Sequence, residues 1–346
     1  MKLFHHRKPA PIQSSILTLI CLCGLGLMAA AAPLDGNAAQ SPNALRPLKV
    51  ILNWKAEPEF GGFYESKIDG TYAKEGIAID LIEGGAGSPV VQMVASGKAD
   101  IGVAAADDVI LAQERGMDIV GIFAVYQDSP LGVMAHESKG YQSFDELMKS
   151  KSTLALQNGS TLSLYLKDQF PKSSVKIVPY TGGITFFVKD PNFAQQCYIF
   201  AEPILAKRQG AKPHAFSAKE IGYNPYSTLV IARRKLIEEN KDLVVKFLNA
   251  TAHGWREYLA DPKAANSVMN RLNPSMDQET FGLAAEAQKV LIQTSETKKR
   301  GLGRMSADRW AQTAAQLEKL KLIRQAKAPT EYFVDFPELG EKKNLK

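Results

Sequence analysis

Cysteine is nearly missing from this chain of 346 residues, with three in all, and two of them, Cys21 and Cys23, lie inside an N-terminal apolar run. Removal of that run leaves Cys197 alone, and a lone thiol excludes a disulfide framework. Cys197 sits in the strand-like stretch Gln195-Gln196-Cys197-Tyr198-Ile199-Phe200 with no basic neighbour or helix start to activate it. It reads as a small buried apolar residue rather than a nucleophile. Histidine is scarce too. His136, His214 and His253 are far apart and lack metal-ligand spacing, and His5 and His6 belong to the N-terminal segment. The glycines at 84–88 are not followed by Gly-Lys-Ser/Thr and do not form a dinucleotide fingerprint. No internal repeat is present, and no Ser-His-Asp order stands out. The net charge is +6, but basic residues are scattered, as in Arg233-Arg234-Lys235 and Lys298-Lys299-Arg300. They read as solvated surface rather than a nucleic-acid footprint. The expectation is a protein with no metal, no cofactor, no nucleic-acid partner and no catalytic constellation.

What is present begins with a targeting signature. Lys2, Arg7 and Lys8 precede an apolar run of 17 residues, Ile16–Ala32, followed by small residues. The run is shorter than the roughly 20 residues of a membrane-spanning helix, so residues 1–38 are expected to be a secretory signal peptide. Cleavage fits after Ala38, with the Ala29–Ala32 run as the alternative. Neither Cys21 nor Cys23 follows a lipoprotein pattern, which points to a soluble exported protein. Residues 39–47 should form a flexible leader.

Beyond the leader, short apolar runs alternate with helical patterns. The strand-like runs are Leu48–Leu52, Ile77–Ile82, Ile101–Ala105, Ile119–Val125, Leu131–Ala135, Thr153–Leu156, Val175–Val178, Tyr198–Phe200 and Thr228–Ala232. This alternation predicts an α/β fold with mostly parallel sheet. Ser143-Phe144-Asp145-Glu146 is a capping box that should start a helix near 144. From about 235 onward the pattern is helical: Lys235–Ala260, stopped by Asp261-Pro262, then Asp277–Gln293 and Ser306–Leu322. Asp128-Ser129-Pro130-Leu131 reads as a crossing into a second unit, and Gly222-Tyr223-Asn224-Pro225-Tyr226-Ser227 as the return. The expected domains are 48–130 plus 228–346, and 131–227. Two crossings make a hinge, and a cleft between hinged domains is a frequent ligand site.

The candidate site residues stand at strand ends, where open α/β sheets bind ligands. Trp54 can stack on a planar heterocycle, or pack in a core or hinge. Asn53 offers a donor and an acceptor, or closes the strand end. Glu57 and Glu59 can take amino groups or a cation, or simply meet solvent. Gly87 and Ser88 precede Pro89 at a helix start whose free N–H groups suit anionic oxygens, or form an ordinary turn. Asp107 can cap the next helix and face the cleft. Asn158-Gly159-Ser160-Thr161 repeats the theme of strand, small residues and helix start, with Ser160 as its candidate, and Tyr180-Thr181-Gly182-Gly183 does so more weakly. Gln196, Tyr198 and Glu202 lie along or just past a strand. Tyr126, Tyr223 and Tyr226 are either cleft walls or hinge packing.

Asn53-Trp54 followed by an acidic, Pro-bearing loop and Gly61-Gly62-Phe63-Tyr64 resembles the entry motif of periplasmic substrate-binding proteins of ABC importers. The nearest group is the thiamine-pyrimidine-precursor type, related to sulfonate, taurine and nitrate binders. Tyr72-Ala73-Lys74-Glu75-Gly76-Ile77 and Gln92–Gly102 are similar to two further elements of that family. So are Asn192–Pro203 and Gly254-Trp255-Arg256-Glu257-Tyr258-Leu259 with Asp261-Pro262. The resemblance spans nearly all of 48–325. It implies a type II periplasmic-binding-protein fold, two α/β domains around a hinged cleft, with C-terminal helices packing on the first. It implies a monomeric binder that captures a small molecule in the periplasm and docks on an ABC permease of the inner membrane. It also implies that Glu202 accepts from a ligand amino group. Pyrimidine binders and the related synthases commonly carry His near the position of Phe60, and the synthases carry a cysteine cluster. This chain has neither, which argues against synthase chemistry. A pyrimidine precursor of thiamine leads as ligand, a flavin-like heterocycle is next, and a sulfonate- or nitrate-like anion is third.

Overall fold

The computed structural model describes residues 44–339. The expected signal peptide and the leader up to residue 43 lie outside the described residues. Among the described residues, ten strands form two five-stranded sheets. The first sheet holds β1 (Arg46–Ile51), β2 (Ile77–Ile82), β3 (Ile101–Ala104), β4 (Ile119–Ala124) and β10 (Leu229–Arg233), in the order β2-β1-β3-β10-β4. The second holds β5 (Leu131–His136), β6 (Thr153–Leu156), β7 (Lys176–Pro179), β8 (Phe193–Tyr198) and β9 (Pro213–Ser217), in the order β7-β6-β8-β5-β9. Each sheet has three parallel strands and one strand, β10 or β5, antiparallel to both its neighbours. That strand is the one that follows a crossing. The expected α/β class therefore holds, and both sheets are mixed, with as many antiparallel as parallel pairings, rather than mostly parallel.

Three local readings differ from the sequence expectation. β1 begins at Arg46, inside the expected leader, because Arg46 donates its N–H to the carbonyl of Gly76 and its guanidinium to Asn240 Oδ1 at 2.7 Å. Pro47 is tolerated there because β3 pairs with β1 only at Val50 and Ile51, so no ladder donor is missing. The strand expected at Tyr198–Phe200 ends at Tyr198, and Phe200 turns into the main core. The helix expected over Lys235–Ala260 is two, Arg234–Glu239 and Lys241–Ala260, broken where Asn240 takes non-helical angles of φ −140° and ψ 41°.

The helices after β10 clothe the first sheet. Helix Lys241–Ala260 lies against helix Gly61–Ile68 so closely that a Cβ on Gly254 would stand 2.2 Å from the Gly62 carbonyl oxygen. Trp255 and Tyr258 from the later helix share one buried cluster with Val50, Ile101 and Val120. Trp310, on helix Ala307–Lys319, stacks on Phe333 with ring centroids 5.8 Å apart and belongs to a second cluster with Ile119 and Leu229. Ser143 caps its helix as the sequence implies, accepting from Glu146 N, and Ser306 caps helix Ala307–Lys319, accepting from Arg309 N.

The two crossings run side by side. Val125 N donates to the Thr228 carbonyl at 3.2 Å, Ser129 N donates to Asn224 Oδ1 at 2.7 Å, and the hydroxyls of Ser129 and Ser227 meet at 3.2 Å. Thr228 adopts a positive φ of 47°, unusual for a β-branched residue.

Candidate functional site

The loop between β1 and helix Gly61–Ile68 carries the first part of the site. Trp54 is half-buried and packs against the main core, while its carbonyl receives the N–H of Gly84 at 2.9 Å. Glu57 is half-buried, and Glu59 is buried in the short turn Pro58–Phe60. Two side chains from the C-terminal helices hold this loop. Asn273 Nδ2 donates to the Ala56 carbonyl at 3.2 Å and to Glu57 Oε1 at 3.1 Å. Gln288 Nε2 donates to the Pro58 carbonyl at 3.0 Å, and Gln288 Oε1 accepts from the Tyr126 hydroxyl at 2.5 Å.

The second sheet supplies the facing part. Glu202 begins helix Glu202–Arg208 just past β8, where its Oε2 accepts from Tyr198 N at 2.7 Å and its Oε1 from the Tyr180 hydroxyl at 3.4 Å. Glu57, Glu59 and Glu202 are close enough to repel one another. Burial is the main cause that raises each of them. Glu57 is pushed up to about 7, by burial first and Glu202 second, against the hydrogen bonds of Asn273 and Trp54 and the charge of Lys55. Glu59 rises well above the carboxylate range, through burial and then the charges of Glu57 and Glu202. In Glu202 the hydrogen bonds from its own N–H, from Tyr198 and from Tyr180 oppose the rise. The Tyr198 phenol is pushed up by burial and by Glu59, Glu202, Asp108 and Asp107. It therefore stands in the field of both acidic groups.

The second acidic group lies at the end of β3. The structure corrects the capping role expected of Asp107. Helix Ala106–Glu114 is capped from its third position, where Asp108 Oδ2 accepts from Ala105 N at 3.1 Å. Asp107 sits one residue earlier and is 8% exposed; its Oδ2 accepts from the Tyr223 hydroxyl at 3.1 Å, and its buried Oδ1 has no partner among the described residues. Asp108 is pushed up to about 7 by surrounding protein and by Asp107, although its side chain still reaches water. Beside it, Asn53 leaves its Oδ1 buried and unpartnered. A recess of about 210 Å³ runs from Asn53, Ser88 and Asp108 along helix Ala106–Glu114. None of the three glutamates lines it.

The remaining sequence candidates divide. Gln196 is half-buried, with its Oε1 taken by the N–H of Gln157. Ser160 caps helix Thr161–Gln169, accepting from Ser163 N at 3.2 Å. Gly87 lies in an open turn at φ 79°, and Pro89 is the residue before helix Val90–Ala95 rather than its first position. Tyr126 is fully buried with its hydroxyl engaged by Gln288. Tyr226 packs in the crossing, where its hydroxyl receives Ser306 N at 2.9 Å and its ring lies under Arg309. Cys197 is buried, and burial together with Glu202 pushes its thiol up, away from the thiolate a nucleophile needs.

The arrangement offers acceptors and aromatic faces. Asn273 and Gln288 escaped sequence reasoning because their partners lie 216 and 230 residues away. Asp108 had a readable signal, a carboxylate three residues past a helix cap.

Comparison with known proteins gives a consistent picture. The profile of the family described as NMT1/THI5 like matches residues 57–265. The formylaminopyrimidine-binding protein of Halalkalibacterium halodurans is 22% identical over 302 residues, 82% of this chain and 88% of that protein. The riboflavin-binding protein RibY of Chloroflexus aurantiacus is 23% identical over 325 residues, 86% of this chain and 88% of that protein. Other relatives are named 4-amino-5-hydroxymethyl-2-methylpyrimidine phosphate synthase. Among solved structures, the periplasmic aliphatic sulphonate binding protein SsuA of Escherichia coli superposes with a TM-score of 0.63 at 16% identity, covering 88% of this chain and 96% of that one. The expected periplasmic-binding-protein fold is therefore the fold of this chain.

Proposed function

Because the chain belongs to the NMT1/THI5-like family and is a solute-binding protein of the ABC-importer type, we propose that its ligand is a small planar nitrogen heterocycle bearing an amino group. A pyrimidine precursor of thiamine is the first candidate. The observation that carries this reading is the convergence of Glu57, Glu59 and Glu202 on a crevice edged by the half-buried Trp54. Carboxylates accept hydrogen bonds from amino and ring N–H groups, and an ionised carboxylate held away from water attracts a cationic ring strongly. A flat indole beside them gives the ring a stacking face. Any of these acids that is ionised opposes a sulfonate or nitrate, whose charge would meet its own.

In this reading the protein works as a monomer and catalyses no reaction. Residues 48–130 with 228–346 form one domain, and 131–227 the other. The open form captures the heterocycle between Trp54 on one side and Tyr198 and Glu202 on the other. Closure follows from contacts made only in the closed state, and the closed form docks on a membrane permease. Export to the periplasm rests on residues 1–38. Asn53, Ser88 and Asp108 line the recess beside helix Ala106–Glu114, Asp107 stands next to it, and Gln196 and Ser160 hold the facing strand ends in place.

Thermal melting of the refolded mature protein against aminopyrimidines, flavins, purines, sulfonates and nitrate tests the ligand class. A ligand at 100 times its Kd adds about 2.7 kcal/mol, a shift of up to several degrees. A shift with an aminopyrimidine that vanishes in Glu202→Gln supports the assignment. A shift with sulfonates alone would overturn it.

A further inference from the structure

One guanidinium from the C-terminal helices grips both crossings between the sheets. Arg309 lies near the start of helix Ala307–Lys319. Its Nη1 donates to the Gln127 carbonyl in the first crossing. In the second crossing its Nε donates to the Asn224 carbonyl at 2.7 Å, and its Nη2 to Asn224 Oδ1 at 2.8 Å and to the Pro225 carbonyl at 3.4 Å. Its carbon Cζ stands 4.2 Å from the centre of the Tyr226 ring. Asn224 Oδ1 also accepts from Ser129 N, so the same oxygen joins the two crossings directly.

The rest of the helix joins the two sheets. Trp310, Ala314 and Leu317 are buried in the cluster that contains Ile119 and Leu229 of the first sheet. At the far end, Gln316 Nε2 donates to the Gly222 carbonyl at 2.7 Å, and Lys319 pairs with Asp168 of helix Thr161–Gln169 at 3.0 Å. Leu320 packs against the second sheet's cluster of Phe144 and Leu147. Three of the atoms Arg309 binds are main-chain carbonyls, whose directions change when the backbone dihedrals of a hinge change. The crossings cannot rotate as a hinge without aiming those carbonyls away from a fixed planar fork. Lysine would keep the charge but not the fork.

We propose that Arg309 is a positioning residue that holds the cleft toward its closed geometry, with helix Ala307–Lys319 strapping the two sheets together. This rests on the reading of the two sheets as hinged domains. It assigns to a residue away from Trp54, Glu57, Glu59 and Glu202 the balance between open and closed forms. Ligand affinity then depends on Arg309 through the fraction of binding-competent protein.

The test measures the distance between the lobes, with no ligand needed. Spin labels go on cysteines introduced at the exposed Lys74 and Lys172, in a Cys197→Ser background of the mature protein. The expected result is a narrow distance distribution that broadens and lengthens in Arg309→Met and in Arg309→Lys. The pair of changes Lys319→Ala and Gln316→Ala should move it the same way by a smaller amount. An unchanged distribution in a cooperatively folded Arg309→Met would overturn the proposal. If Arg309→Met does not fold, an unchanged distribution in the Lys319→Ala, Gln316→Ala double variant overturns it. A wild-type distance that stays at one broad value in every variant, with and without the heterocycle that shifts Tm, would instead sink the hinged reading itself.

Discussion

The two sheets share one strand order and differ in what covers them. In both, three parallel strands are followed by a strand running the other way and a last edge strand. The second sheet is built from one continuous stretch, β5 to β9, and its own short helices cover it. The first is completed by β10 and then clad by helices from the chain that follows. Its buried clusters take in Trp255, Tyr258, Phe281 and Trp310 from that tail. The same tail fixes the acid-bearing loop through Asn273 and Gln288. Among the described residues the Glu202 carboxylate itself is held by Tyr180 and Tyr198 of its own sheet, and the tail meets its helix only through exposed Arg208 at the far end and through Ile204 in the main core. One half of the crevice is therefore set by distant chain and the other half by local structure.

The strongest way to break this contrast is to loosen the cladding. Trp255→Ala removes a fully buried indole against Phe63 and Tyr258. It should lower stability by about 3–5 kcal/mol, read by urea denaturation, and weaken ligand binding as the Glu57–Glu59 loop shifts. A second-sheet change, Tyr165→Phe, which loses one hydroxyl bond to the Ile221 carbonyl, should cost about 1 kcal/mol.

Next in size is pH. Glu57 is pushed up to about 7 in the folded protein, from the ordinary carboxyl value of 4.5. Between those values the folded state holds a proton that the unfolded chain has released. Stability contributed by the protonated group is full below about 4.5 and is lost as pH rises toward about 7, on the order of 1–3 kcal/mol. Melting curves from pH 4.5 to 8 should show Tm falling with pH, less steeply in Glu57→Gln. A Tm that rises across that window would show the carboxylates to be paired rather than crowded.

Trp54→Ala sharpens the comparison at the ligand itself. The ring lies on the braced side, and its loss should weaken heterocycle binding by about tenfold, some 1.4 kcal/mol, with a smaller loss for Tyr180→Phe. Calorimetry on the two variants ranks the faces. The smallest effect belongs to Arg208, which reaches from the second sheet's helix to Asp277 and Glu279 on the tail at 3.1 and 2.7 Å. Exposed pairs of this kind contribute little, so Arg208→Ala should leave Tm within the scatter of replicate melts.

Much of the scaffold was legible because it rests on local rules. β2, β6, the capping residue Ser143 and the helix start at Ser306 stand where patterning and hydroxyl spacing put them. Helix Lys241–Ala260 ends at Asp261-Pro262 as proline requires. β9 was missed. It opens with Pro213, carries His214 and is an edge strand, so it lacks the apolar run that marks a covered strand. At the site, Glu59, Glu202 and Trp54 were readable as polar or aromatic groups at strand ends. Tyr126 and Tyr226 were not separable from cleft walls by sequence, since only tertiary structure shows their hydroxyls engaged by Gln288 and Ser306. Asp107 and Asp108 differ by one helical position, and the hydrogen bond from Ala105 N falls to the second.

The central place of β10 also has a consequence for how the chain comes together. β3 and β4 do not touch as neighbours, because β10 lies between them and arrives only after the whole of β5–β9 has been made. The second sheet can close from one contiguous stretch of about ninety residues as soon as that stretch is available, although β5 must still meet β8 and β9 at its far end. The first sheet must wait, open at its centre, for a strand more than a hundred residues downstream of β4 and then for the tail that clads it. A chain emerging from a ribosome or a translocation pore thus holds its N-terminal half unfinished until nearly all of it is through, and it assembles from the middle outward.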